Sequence, residues 1–232
     1  MGRTITLATQ GGRRMTISWY EPGETHRAHR HGEAQVSCLL AGDYAEDSPS
    51  GPREAFGAMV SVKPAGFEHE NRFGADGALI LSAAPPEAPF VSRYRIGRAP
   101  AGRALLAAGP AGLAALCVSL TDSETDARPA AWLDLARARL ASGAASTEVA
   151  RGLGLHPVRF AALFRAACNE PPSAWRQARR LSRAVAGVVA GHGRLADLAA
   201  EAGFSDQAHL TRAMKAATGF SPGALRRLFA TA

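Results

Sequence analysis

Three histidines in the N-terminal part of the chain, His29, His31 and His69, have the spacing of a shared ligand site. Residues two apart on a β-strand point to the same face of the sheet, so the imidazoles of His29 and His31 would converge. His69, arriving from another strand, would complete a set of three imidazoles, which suits zinc or a similar divalent metal. Two other interpretations stay open: a metal-free barrel with a polar lining, and histidines that are merely structural or exposed.

The C-terminal half contains an internal repeat of about 50 residues. Residues 149–155 match residues 198–204, and the match continues after a one-residue insertion up to the pair Arg176 and Arg226. Each copy has an apolar helical stripe, a glycine suited to a left-handed turn, and a second amphipathic helix. This order of elements predicts two helix-turn-helix units.

The residues around each turn predict how the second helix of each unit begins and packs. In the second unit, Ser205 is expected to cap the helix, with Asp206 favourable beside its positive end. In the first unit, Phe160, Leu163 and Phe164 are expected to face inward. One long helix, with an apolar stripe and a basic edge, is expected to join the two units.

The charge is divided unevenly along the chain. Residues 1–128 contain 13 basic and 14 acidic residues, net −1, whereas residues 129–232 contain 14 basic and 6 acidic residues, net +8. This asymmetry indicates a neutral module joined to one that meets a polyanion. An N-terminal apolar signal core is lacking and the longest uncharged stretch is broken by glycine and proline, so a cytoplasmic protein without a membrane span is expected.

The texture of the sequence predicts two domains of different class. Short alternating runs separated by Gly, Pro and Asp are typical of a small β-sandwich or barrel; these runs are Thr4–Ala8, Met15–Tyr20, Gln35–Leu40, Ala58–Val62 and Ala78–Ser82. Helices at about 101–120 would close this first domain, residues 1–120. A polar linker is expected at 121–128, followed by an all-α domain at 129–232.

The second helix-turn-helix unit closely resembles the signature of AraC/XylS-type transcription regulators. The resemblance is carried by the run from Asp197 to Arg212, then Lys215, the segment 218–223 and the pair Arg226 and Arg227, and it extends over about 130–229. It implies a DNA-binding domain whose two recognition helices enter successive major-groove segments of double-stranded promoter DNA.

The same resemblance implies which residues contact DNA. In the second unit they are Gln207, Ala208, His209, Thr211, Arg212 and Lys215, and in the first unit Val158, Arg159, Ala161, Ala162 and Arg165. Gln can bond adenine and Arg can bond guanine bidentately, so the second unit has the stronger base-reading chemistry. His209 has an alternative role in local packing or capping.

The N-terminal part resembles a cupin sensor or dimerisation domain. Gly23, His29, His31, Gln35 and Gly42 have the spacing of the first cupin motif, and the Pro64 to His69 segment resembles part of the second. The resemblance implies a metal site of His29, His31, Gln35 and His69, although cupin sites usually have Glu where Gln35 stands.

These resemblances predict a non-enzymatic, one-component transcription regulator, in which an all-β cupin-like barrel senses an effector or metal, or dimerises. The alternative is a catalytic, metal-dependent cupin, a dioxygenase or isomerase, joined to a DNA-binding domain. The effector, homodimer formation, contact with RNA polymerase and activation as against repression stay open.

Overall fold

Among the described residues, strands form the N-terminal part of the chain and helices follow from residue 102 onward. The computed structural model describes residues 2–10, 12–49, 51–84, 94–120, 131–168 and 170–230, so the predicted linker at 121–128 lies outside the described residues. In chain order the elements are β1 (Arg3–Gln10), β2 (Arg13–Tyr20), β3 (Thr25–Arg30), β4 (Gln35–Asp47), β5 (Arg53–Phe56), β6 (Met59–Lys63), β7 (Glu68–Ala83), β8 (Arg95–Arg98), α1 (Gly102–Ser119), α2 (Ala131–Ala141), α3 (Ser146–Gly152), α4 (Pro157–Cys168), α5 (Pro172–Val189), α6 (Leu195–Glu201), α7 (Gln207–Thr218) and α8 (Pro222–Ala230).

The described residues group into two compact units that do not follow chain order. One unit takes its residues from 1–126 and 181–232, and the other from 127–180. The second helix-turn-helix unit therefore belongs to the same compact unit as the β-strands. The domain limits expected from the sequence remain a prediction.

The eight strands of the described residues belong to one antiparallel sheet with the order β1-β2-β7-β4-β6-β8; β3 pairs with β7, and β5 pairs with β4. The all-β class predicted for this region is confirmed, and the five predicted runs lie on strands apart from Ala58, which precedes β6. Strands β5 and β8 were not predicted, and β3 and the first half of β7 were expected only as the strands that carry His29 and His69. Their residues lack regular apolar alternation: β3, for example, reads Thr-His-Arg-Ala-His-Arg.

Strand β4 bends through a large angle along its length. Lys63 pairs in register with Gln35 at the start of β4, yet its ammonium forms an ion pair with Glu46 near the other end. Eleven residues of straight strand would span about 36 Å, which is far beyond the reach of two side chains. The register of β4 against β7 shifts on both sides of Ala41 and Gly42, and such irregularities bend strands. The sheet is therefore strongly curved, as a barrel requires.

The two faces of the sheet have different chemistry because side chains alternate along each strand. On one face Ile17, Cys38 and Leu81 are buried in a large apolar core. On the other face, direct cross-strand partners form a row of hydroxyl residues, Thr16, Ser82, Ser37 and Ser61. The hydroxyls of Ser37 and Ser82 are 3.1 Å apart and hydrogen-bonded.

The large apolar core extends from the sheet into the helices of the same unit. Leu105 of α1, Val185 of α5 and Met214 of α7 are each at most 2% exposed and belong to it. A buried hydrogen bond, 2.8 Å long, also runs from the Gly42 amide of β4 to the Ser182 hydroxyl of α5. The second helix-turn-helix unit is thus packed onto the sheet through shared apolar side chains.

The other unit contains α2, α3, α4 and the first part of α5. Phe160 and Phe164 are fully buried, and Phe164 meets the Trp175 ring edge-on at 6.2 Å. The expectation that Leu163 faces inward is wrong, because its side chain is 40% exposed. The buried positions of α4 are 160, 164 and 168; this narrow i, i+4, i+8 stripe leaves position 163 to one side.

Substitution of Gly42 tests the bend in β4. Gly42 has φ 93°, and a Cβ there would collide with the carbonyl oxygen of Gly77 on β7. Gly23 has φ 73°, but a Cβ would meet no described heavy atom within 4 Å. We expect Gly23→Ala to cost about 1–2 kcal/mol in unfolding free energy from backbone strain alone, and Gly42→Ala clearly more. Urea denaturation compares them; equal losses would contradict this role of Gly42.

Candidate nucleic-acid interface and histidine site

The turn before α7 is built from three adjacent features. Gly203 has φ 79°, the left-handed conformation that ends α6. Asp206 is the N-cap of α7, and its carboxylate accepts a hydrogen bond from the His209 amide at 2.6 Å. This hydrogen bond is the largest cause of a lowered pKa for Asp206. The expectation that Ser205 caps α7 is therefore wrong. Asp206 is the cap because it stands three residues before the amide that is capped. The Ser205 hydroxyl lies instead 3.0 Å from His209 Nδ1.

Helix α7 has one buried face and one polar, exposed face. Leu210, Met214 and Thr218 are buried. The residues predicted to contact DNA lie away from them: Gln207, Ala208, Arg212 and Lys215 are exposed, and His209 and Thr211 are partly buried. The His209 ring also meets Phe204 edge-on at 5.1 Å. His209 therefore has the local contacts that were expected as its alternative role.

Helix α4 exposes a different set of side chains. Val158, Arg159, Ala162 and Arg165 are exposed, and Ala161 is partly buried. Val158 is 72% exposed, a high value for a large apolar side chain. The exposed surface of α4 therefore offers apolar groups and two guanidinium groups, with no side-chain amide among these five residues.

The three histidines are brought together in the sheet, as their spacing predicts. His29 on β3 and His69 on β7 are direct register partners. One ligand nitrogen from each of His29, His31 and His69 lies within 4.8 Å of the others. In His29 and His69, Nδ1 lies 2.9 Å from the Arg27 carbonyl oxygen and 3.4 Å from that of Phe67, respectively.

These backbone contacts bear on whether the site fits a metal. An imidazole that donates Nδ1–H to a carbonyl keeps its Nε2 lone pair for a ligand, and metal-binding histidines are commonly oriented in this way. Three neutral imidazoles also suit zinc and similar divalent ions. His29, His31 and His69 therefore fit such an ion in their donor chemistry.

A buried ion pair lies beside the histidines and was missed by the sequence analysis. Lys63 Nζ is 2.5 Å from Glu46 Oε2 and 3.4 Å from His69 Nε2. The pKa of His69 is lowered to about 3, mainly because the imidazole is buried and next because the Lys63 charge lies close to it. One feature of the sequence could have indicated this ion pair. Lys63 is one of two lysines in an arginine-rich chain, and it stands at the end of an apolar strand.

Gln35 lines a cavity of about 320 Å³. The cavity is lined by polar groups that include Arg14, Thr16, His31, Gln35 and Ser82. Gln35 and His31 thus share a cavity, whereas the buried carboxylate nearest to His69 belongs to Glu46.

The family comparison agrees with the geometry of the helices. Residues 149–228 match the family model described as a helix-turn-helix domain. This range runs from within α3 to within α8 and includes both predicted helix-turn-helix units, and the domain is of the AraC type. The chain is a DNA-binding transcription regulator with an N-terminal β-domain.

Comparison with solved structures finds three kinds of similar fold. ToxT from Vibrio cholerae has 8% identity and a TM-score of 0.40, covering 93% of this chain and 98% of ToxT. The C-terminal domain of AraT, a response regulator from Geobacillus stearothermophilus, has 21% identity and a TM-score of 0.40, covering 44% and 88%. A cupin superfamily protein from Desulfitobacterium hafniense has 13% identity and a TM-score of 0.33, covering 36% and 76%.

The chain matches none of the curated proteins. Within the described ranges, none of the helices combines the length and the apolar character needed to cross a membrane.

The cap of α7 can be tested without touching a predicted base contact. We expect Asp206→Ala to lower the stability of the protein and weaken DNA binding, because the His209 amide loses its acceptor. Asp206→Asn should retain most of both properties, since Asn caps helices about as well as Asp. Thermal denaturation and DNA titration measure the effects; an Asp206→Ala variant indistinguishable from wild type would contradict the assigned cap.

Proposed function

We propose that this regulator reads base sequence mainly through α7 and uses α4 mainly for shape and phosphate contacts. This proposal rests on the difference between the exposed surfaces of α7 and α4. Helix α7 exposes Gln207 and Arg212, whereas α4 exposes Val158 and Ala162 at its equivalent face. Amide and guanidinium groups discriminate base edges by paired hydrogen bonds, and apolar groups contact only features such as the thymine methyl.

The basic residues of the domain supply the part of the affinity that does not depend on base sequence. Arg159 and Arg165 on α4 and Lys215 on α7 are exposed cations near the predicted base contacts. Such side chains bind phosphates and release counterions, which positions the protein without reading sequence.

For the β-domain we propose a sensing role without catalysis. Its cavity of about 320 Å³ has an arginine, hydroxyls and an imidazole in its lining, enough to select a small polar effector. The buried carboxylate nearest to His69, that of Glu46, is held by Lys63, which argues against Glu46 as the free acid or base of a reaction. Homodimer formation, RNA polymerase contact and a cytoplasmic location remain predictions.

The histidine site also favours a second candidate function, a metal-dependent cupin enzyme. A divalent ion, when bound, would be held by His29, His31 and His69 and would supply Lewis-acid chemistry. Metal-dependent turnover of a small molecule that His69→Ala abolishes, while DNA binding stays intact, would favour this candidate over the sensor.

DNA binding by the full chain should depend steeply on salt. We expect selection from random duplex oligonucleotides to yield a defined sequence, and the affinity for it to fall as salt rises, because arginines displace counterions. Filter binding or fluorescence anisotropy over a salt series measures the slope. A folded protein that recovers no preferred sequence would contradict sequence-specific reading.

The roles of α7 and α4 can be separated with two matched arginine substitutions. Arg212→Ala should cost about 1–3 kcal/mol on the preferred duplex and relax the preference at one base pair. Arg165→Ala should weaken binding to all duplexes alike and reduce the salt slope by about one unit. Titrations on matched and single-mismatch duplexes distinguish them, and the reverse pattern would exchange the roles of the two helices.

A further inference from the structure

Three buried ionisable side chains meet inside the curved sheet at the histidine site. Glu46, Lys63 and His69 are 1%, 4% and 1% exposed, respectively. Lys63 Nζ lies 2.5 Å from Glu46 Oε2 and 3.4 Å from His69 Nε2, while the latter two atoms are 4.0 Å apart. The ammonium group therefore contacts both the carboxylate and the imidazole.

The hydrogen-bonding capacity of the Lys63 ammonium group determines which nitrogen of His69 carries the proton. An ammonium group has three donors and no acceptor, so its contact with His69 requires Nε2 to accept. Nε2 is then unprotonated, and Nδ1–H is left to donate to the Phe67 carbonyl oxygen at 3.4 Å. The lone pair that would bind a metal is thus the one that the Lys63 ammonium already engages.

Glu46 is engaged in the same way. Its Oε2 accepts from Lys63, and in the amide orientation that satisfies both Asn71 side-chain atoms, Asn71 donates to this oxygen at 3.1 Å. The buried Glu46 carboxylate beside His69, together with the partly buried His29 and His31, has the donor chemistry of a four-ligand site for zinc, cobalt or a similar ion. Glu46 stands eleven residues after Gln35, so it is a different position from the one that the cupin spacing assigns.

We propose that Lys63 is a built-in cation that competes with a divalent transition metal for His69 and Glu46. With the ammonium in place, the site is already charge-balanced and binds such an ion weakly. Without it, His29, His31 and His69 bind the ion and Glu46 serves as the fourth ligand. This inference does not depend on the DNA-binding roles proposed for α4 and α7.

Like-charge repulsion gives the expected size of the effect. A divalent ion bound to His69 would lie within a few ångströms of the ammonium, in an environment that screens charges far less than water does. Removal of this repulsion, together with release of Glu46, should strengthen metal binding by about tenfold or more.

The test is a titration of untagged, chelator-treated full-length protein with Co²⁺, followed by the visible absorption of the bound ion and by thermal denaturation. Lys63→Met removes the charge with little change in length and should bind Co²⁺ at least about tenfold more tightly than wild type. Lys63→Arg keeps the charge and should bind as weakly as wild type. His29→Ala in the Lys63→Met background should abolish the gain, which locates the ion at the histidines.

A neutral double variant keeps the test decisive if Lys63→Met alone leaves Glu46 too costly to bury. Lys63→Met with Glu46→Gln restores charge balance, so it should fold, bind Co²⁺ more tightly than wild type and bind it less tightly than a folded Lys63→Met variant. The proposal is overturned if neither variant gains affinity over wild type, if Lys63→Arg gains as much as Lys63→Met, or if the gain survives His29→Ala.

Discussion

The course of strand β4 is the constraint on which the rest of the β-domain depends. β4 pairs with β5, β6 and β7, so its path determines where the residues of three other strands lie. The bend near Gly42 brings Glu46 back to Lys63, the partner strand's residue opposite Gln35. A straight β4 would leave a carboxylate and an ammonium separately buried, which is far more costly than burying them as a hydrogen-bonded pair. The bend that curves the sheet is therefore also what allows Glu46 and Lys63 to be buried as a pair in its interior.

The sheet also supports the packing of helices, because side chains alternate between its two faces along each strand. While the hydroxyl row and the ion pair occupy one face, the other face is apolar and shares a core with α1, α5 and α7. Helix α7 buries Leu210 and Met214 in this core and still exposes Gln207 and Arg212. Packing onto the sheet and exposure of the predicted base-reading residues are compatible because they use opposite sides of one amphipathic helix.

The two recognition helices, α4 and α7, have the same spacing of buried residues and different exposed residues. In each, the buried positions recur at i, i+4 and i+8, which explains why their apolar residues align in the internal repeat. Exposed positions are free of this packing requirement, so Val158 in α4 and Ala208 in α7 can differ in size without cost to the fold. Divergence of the exposed residues is thus compatible with one helix reading bases and the other mainly contacting the backbone.

Local rules in the sequence were sufficient for the class of each half, the helix-turn-helix units and the expectation that His29 and His31 converge; His69, 38 residues further on, was placed with them only through its resemblance to a cupin motif. These local rules depend on the period of apolar residues, on glycines such as Gly203 and on two-residue spacing, all of which act over a few neighbours. Only the tertiary structure decided that Asp206 caps α7, that Leu163 is exposed, and that Lys63 and Glu46 meet beside His69. The cap depends on which residue stands at the end of the helix, and exposure depends on what packs against it. The meeting of Lys63 and Glu46 depends on a bend that joins residues distant along the chain, and no local pattern in the sequence encodes that distance.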